Sequence, residues 1–127
     1  MSERRPGAIT YLRSALFMAA MLVVTPAFVT LLLCCFWLPL RSRRLFVMPY
    51  VNAVMWMVRH ILGIRHRVVG AENIPAVPCV ILCKHQSAWE TFALPTLMPH
   101  PLAYVFKREL LYVPFFGWAM GRLDMIH

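Results

Sequence analysis

The chain has 127 residues, 61% of them hydrophobic, and a formal net charge of +8. That length leaves room for one domain at most, and an apolar fraction above the ~45–50% of an ordinary soluble domain predicts a membrane segment. The basic excess suits anionic lipid, a phosphorylated substrate or nucleic acid. The arginines, however, crowd the edges of apolar runs instead of forming one face of a soluble module, which favours lipid and argues against nucleic acid.

Residues 1–13 are basic, with Arg4, Arg5 and Arg13, and residues 14–40 carry no charge. The uncharged run exceeds the ~20 residues a bilayer crossing needs. A cleaved signal peptide would have a core of ~7–15 residues and a small-residue cleavage site. This run is longer and closes on Phe36-Trp37-Leu38-Pro39, so an uncleaved anchor is expected, with Pro26 as a tolerated kink. Arg41, Arg43 and Arg44 follow. A second apolar run, residues 45–58, is broken only by Asn52 and ends at Arg59-His60. It is short for a crossing and predicts an interfacial or re-entrant helix starting near Pro49. Arginines flank the first helix on both sides, so the positive-inside rule alone leaves orientation open. Arg59, Arg65 and Arg67 tilt the downstream part toward the cytoplasm.

From Gly63 the pattern changes. Residues 64–69 alternate apolar and basic, as a half-exposed strand does, and Gly70-Ala71-Glu72-Asn73-Ile74-Pro75 reads as a turn. Cys79-Val80-Ile81-Leu82-Cys83, preceded by Pro78, reads as a buried strand. After it, Ser87 is a candidate helix N-cap with Glu90 three positions on, a capping-box pattern. The helix so begun is expected to end at Pro95 and Pro99. Residues 102–106 read as a strand, 114–120 as a short helix and 123–127 as the start of another strand. The fold class is therefore α/β: membrane-anchoring helices over residues 1–62, then part of a sheet domain over 63–127. A segment of ~65 residues buries only about 60% of its unfolded surface, and a newly begun strand leaves an open sheet edge. These features predict a chain truncated at its C-terminus.

His85 and Glu90 are the main chemical signal, placed at the turn between a buried strand and a helix start. A carboxylate beside a histidine can fix its tautomer and stabilise the imidazolium, making the ring a general base. Glu90 sits between Trp89 and Thr91-Phe92, where a carboxylate needs a hydrogen-bond or ionic partner. From spacing alone the commoner case is a surface histidine beside a helix-capping glutamate. A metal site from Cys83, His85 and Glu90, with Cys79 nearby, is disfavoured, because the two cysteines share a strand face from which His85, on the turn that follows, must turn away, and no second histidine has ligand spacing. Cys34, Cys35, Cys79 and Cys83 contain no C-x-x-C pair and read as buried, reduced thiols. Lys107 and Arg108, just past a strand end, suit either a phosphate or a solvated turn. Phe115, Phe116 and Trp118 read as core or membrane-interface residues.

His85-Gln86-Ser87-Ala88-Trp89-Glu90 resembles the catalytic block of the lysophospholipid acyltransferase family: a histidine, four residues, then an acid. Lys107-Arg108-Glu109-Leu110 followed by Val113-Pro114-Phe115-Phe116-Gly117 is similar to that family's second block, and Gly70-Ala71-Glu72-Asn73-Ile74-Pro75 to the turn before its core. The resemblance covers roughly residues 45–127 behind an N-terminal membrane motif. It implies the first half of an acyltransferase-type α/β domain. The implied reaction moves an acyl group from acyl-CoA or acyl-carrier protein to the sn-2 hydroxyl of lysophosphatidic acid, giving phosphatidic acid; the alternatives are transfer to another lyso-lipid acceptor and a non-enzymatic membrane anchor or inactive fragment. His85 would be the base, Glu90 its orienting acid, and Lys107 and Arg108 phosphate contacts; no cofactor and no metal is implied. It also implies a bacterial inner-membrane location with the site facing the cytoplasm. Two features depart from the family. The acid is glutamate where aspartate is usual, which moves the carboxylate by roughly 1.5 Å. The later blocks, one with an arginine and one with glutamate, glycine, threonine and arginine, are not among these residues.

Overall fold

The computed structural model describes residues 7–35, 37–84, 86–123 and 125–126. Two long helices organise it. Helix α1, Ala8–Cys34, contains Pro26, and an 18-residue stretch of it has a mean hydropathy of 2.4. Helix α2, Leu40–Met57, continues through a π-helical turn, Val58–Leu62, so that the whole is 23 residues long, with an 18-residue stretch of mean hydropathy 1.3. Both are long and apolar enough to cross a membrane. Much of their apolar surface has no protein cover: Leu12 and Leu22 of α1 are 71% and 72% exposed, and Trp56 of α2 is exposed too. In water that surface would be costly; in lipid it is the expected outer face.

The two helices form an antiparallel hairpin. The Thr25 and Tyr50 hydroxyls are hydrogen-bonded at 3.0 Å, and Phe28 stacks on Tyr50 with centroids 4.3 Å apart. The Arg13 guanidinium lies against Gly63, where an added Cβ would sit 3.3 Å from it. Gly63 has φ 74° and ends the second helix, a left-handed cap that glycine adopts without steric penalty. Helix α2 differs from the expected short interfacial segment. It starts at Leu40, takes in the arginines and holds Pro49 inside. Packing against α1 and the following helix stabilises those turns, which local propensity alone would not support.

Helix α3, Trp89–Leu97, packs along α2. Its Ala93 is fully buried. Trp89 and Phe92 close over the buried cluster Val54, Met57 and Val58, joined by Phe17, Met21 and Val24 of α1. Helix α4, Phe116–Arg122, follows a 3₁₀ turn, Arg108–Tyr112, and packs on that turn and on α1. Gly117 makes the approach possible, because a Cβ there would come 2.3 Å from the Leu111 carbonyl oxygen. Arg43 then donates from Nη1 to the Arg122 carbonyl, and Arg44 from Nη2 to that of Leu123 at 3.4 Å. These cations meet the carbonyl end of α4, where the helix dipole favours positive charge.

No strand ladder occurs among the described residues. Residues 64–69 and 79–83 carry no paired sheet structure and are exposed, where a half-exposed and a buried strand were expected. The only pairing among the described residues is a parallel bridge between Val105 and Ile126, with Phe106 N–H donating to the Ile126 carbonyl at 3.1 Å and Ile126 N–H to that of Tyr104 at 3.0 Å. It joins two of the segments expected as strands. Alternation sets which face a strand would bury, but a strand exists only when a neighbour takes up its N–H and C=O groups.

Candidate active site

The approach to the site is extended chain, and its exit is the start of α3. Ser87 Oγ accepts the Trp89 N–H at 3.3 Å. Glu90 accepts the Ser87 N–H on Oε2 at 3.0 Å and the Gln86 N–H on Oε1 at 3.2 Å. The glutamate half of the expected capping box is present, since Glu90 reaches back to the Ser87 N–H, but Ser87 Oγ takes the Trp89 N–H instead of that of Glu90, and the helix begins two residues after Ser87. The carboxylate is held across the first turn of α3, where backbone N–H groups and the helix dipole favour negative charge. His85 lies outside the described residues, and so does any geometry between its ring and Glu90.

The far half of α3 is secured by a residue that sequence reasoning did not single out. Pro95 sits inside the helix instead of ending it. Lacking an N–H, it cannot donate to the Thr91 carbonyl four residues back. The Tyr104 hydroxyl donates to that carbonyl at 3.0 Å. Burial, followed by the charge of Cys83 nearby, pushes the Tyr104 hydroxyl up to about 12 from 10.0. Tyr104 therefore fastens the extended segment after α3 to the helix that carries Glu90. The signal available in the sequence was a proline four positions after a threonine; the partner thirteen residues on had no local mark.

Trp89 and His66 meet edge to face at 5.0 Å, which brings the arginine-rich segment beside the first turn of α3. Tyr50 meets Phe92 at 6.2 Å. Lys107 and Arg108 are exposed where the 3₁₀ turn begins. A cavity of about 600 Å³ opens at the other end of α3, with Leu45, Met48, Met98 and Leu102 as apolar lining and Arg41 and Arg44 at the first turns of α2. This cavity was not expected, since it forms between segments fifty residues apart.

The cysteines correct the expectation of buried thiols. Cys34, Cys79 and Cys83 are exposed and Cys35 is half-buried. Cys79 and Cys83 lie on a segment that no sheet covers. No three His, Cys, Asp or Glu side chains gather as a ligand set among the described residues.

Residues 65–127 match the family model described as Acyltransferase. The chain is 54% identical over 90 residues to the 1-acyl-sn-glycerol-3-phosphate acyltransferase of Pseudomonas aeruginosa, covering 70% of this chain and 35% of that protein. It is 36% identical over 65 residues to the enzyme of the same name from Saccharomyces cerevisiae, covering 51% of this chain and 22% of that protein. The chain thus spans about a third or less of the length of these relatives. No solved structure matches it. With the histidine–acid block and the second block inside the matched residues, the chain belongs, through residues 65–127, to the acyltransferase family.

Proposed function

We propose that this protein transfers a fatty acyl group from a thioester, acyl-CoA or acyl-carrier protein, to the sn-2 hydroxyl of lysophosphatidic acid, giving phosphatidic acid. The observation that carries the reading is the start of α3: an acid fixed on two backbone N–H groups, five residues after a histidine, in a segment that matches acyltransferases. His85 takes the hydroxyl proton while the oxygen attacks the thioester carbonyl. The carbon–sulfur bond then breaks, and the thiol leaves with the proton returned by His85. Glu90 orients and charge-balances the imidazole. Lys107 and Arg108 hold the acceptor's phosphate; their exposure beside a turn favours that role.

Residues 1–62 serve membrane attachment and 63–127 form part of the acyltransferase domain, a division supported by the left-handed cap at Gly63. Residues 102–106 and 123–127 act as neighbouring strands of an α/β sheet, a reading supported by the parallel bridge of Val105 and Ile126; residues 64–69 and 79–83, unpaired in this structure, join that sheet only where further strands supply partners. The site faces the cytoplasm at a bacterial inner membrane. Arg13 against Gly63 supports this, because it gathers Arg13, Arg59, Arg65 and Arg67 at one end of the hairpin.

The test is direct. The protein expressed from its whole reading frame is given lysophosphatidic acid with labelled acyl-CoA, or with acyl-carrier protein. Labelled phosphatidic acid is expected, and His85→Ala should abolish it without releasing the protein from the membrane. Absence of phosphatidic acid with both donors overturns the reaction. Substantial turnover by His85→Ala removes that residue from the role of base.

A further inference from the structure

The turn into α4 is strained and exposes aromatic rings. Phe115 has φ 63° and ψ −58°, with the Phe116 N–H donating to the Pro114 carbonyl at 2.7 Å. This is a γ-turn with positive φ, the rarer and more strained of its two forms. Such a conformation persists where the surroundings impose it. Here the imposing contact is Gly117, pressed so closely on the carbonyls of Leu110 and Leu111 that no side chain fits. The strain buries no ring. Tyr112 is 78% exposed, Trp118 49%, and Phe115 and Phe116 are similarly open. Phe115 and Trp118 are held together at 5.5 Å. Lys107 and Arg108 stand exposed at the head of the same turn.

We propose that this aromatic turn is a second membrane contact, with Tyr112, Phe115, Phe116 and Trp118 seated in the interfacial layer of an anionic bilayer and Lys107 and Arg108, whose phosphate ligand is that of the acceptor, at the level of its headgroups. The occupant follows from position and charge. Helix α4 packs directly on α1, whose uncovered apolar flank is the lipid-facing surface, so the rings continue an existing membrane face. Aromatic residues with a polar edge collect at the headgroup level, and basic side chains beside them favour anionic lipid. The strained turn holds the rings outward before any lipid arrives, which lowers the ordering cost of insertion. The inference rests on the hairpin lying in lipid and extends that surface to the acyltransferase segment.

The whole protein and its Trp118→Phe variant are reconstituted in vesicles of phosphatidylethanolamine and phosphatidylglycerol, with acyl chains brominated close to the headgroup. The difference between their tryptophan spectra reports Trp118. Bromine should remove most of that difference emission, and aqueous iodide little of it. Tyr112→Trp in the otherwise unaltered chain should add emission with the same response. The proposal is overturned if iodide quenches the difference signal and bromine does not. If the remaining tryptophans, Trp37, Trp56 and Trp89, are still quenched by bromine in that case, the hairpin remains in lipid and only the second contact is lost.

Discussion

Pro95 and Tyr104 show how one residue's deficit becomes another's role. A proline inside α3 leaves the Thr91 carbonyl without its helical donor, and a hydroxyl from the next segment supplies one. Tyr104→Phe should therefore leave a part-buried carbonyl unsatisfied, at a cost of about 1–3 kcal/mol, seen as a lower melting temperature. The same residue sets an alkaline limit. Because its ionisation is pushed up to about 12 in the folded protein, the unfolded chain loses this proton first as pH rises through 10. The folded state then binds more protons than the unfolded one, so stability is unaffected below that range and falls between about pH 10 and 12. A melting series over that range should show a decline that is smaller in the Tyr104→Phe variant; an equal decline in both would refute the assignment. Glu90 is the counterpart at the other end of the helix. Its contact with the Ser87 N–H was legible from the three-residue Ser87–Glu90 spacing, whereas the one with the Gln86 N–H was not.

At the scale of elements, helix ends decide the assembly. Helix α4 is seven residues long, and a helix that short is marginal alone. It holds because Gly117 lets it lie against the preceding 3₁₀ turn and because Arg43 and Arg44 meet its carbonyl end. Gly117→Ala places a methyl group against backbone atoms that cannot rotate away. We expect a loss of about 1–3 kcal/mol, with proteolysis near residue 117 far faster than in the parent chain. Unchanged protease resistance would show that the turn has room to shift. The sequence predicts a short helix over residues 114–120, within two residues of the one observed. The arginines that brace it come from 79 residues earlier, and no window on the sequence contains both.

For the molecule as a whole, the hairpin is more than an anchor. Among the described residues, six of the eight buried hydrophobic side chains, Val29, Leu32, Val51, Val54, Met57 and Val58, lie on it, against Ala93 and Leu123 from the rest of the chain. Removing the first two helices would strip the cover from Trp89, Phe92 and Ala93 and expose the start of α3. A protein lacking residues 8–62 should then aggregate or stay inactive even when donor and acceptor are presented in detergent. Full activity of that truncated protein in micelles would mean that the two parts fold independently.

Composition and local pattern were enough to establish two apolar helices, a basic margin around them and a helix start carrying Glu90. Each depends on neighbours within a few positions, where side-chain spacing and backbone hydrogen bonding are coupled directly. Tertiary structure alone decided that α2 absorbs its arginines and Pro49 and runs to 23 residues with its π-helical extension. It also decided that Tyr104 repairs the gap at Pro95, and that residues 64–69 and 79–83 stay unpaired while Val105 finds Ile126. Those outcomes hang on donors and acceptors brought together across long stretches of chain, and their energies exist only once the partners have met.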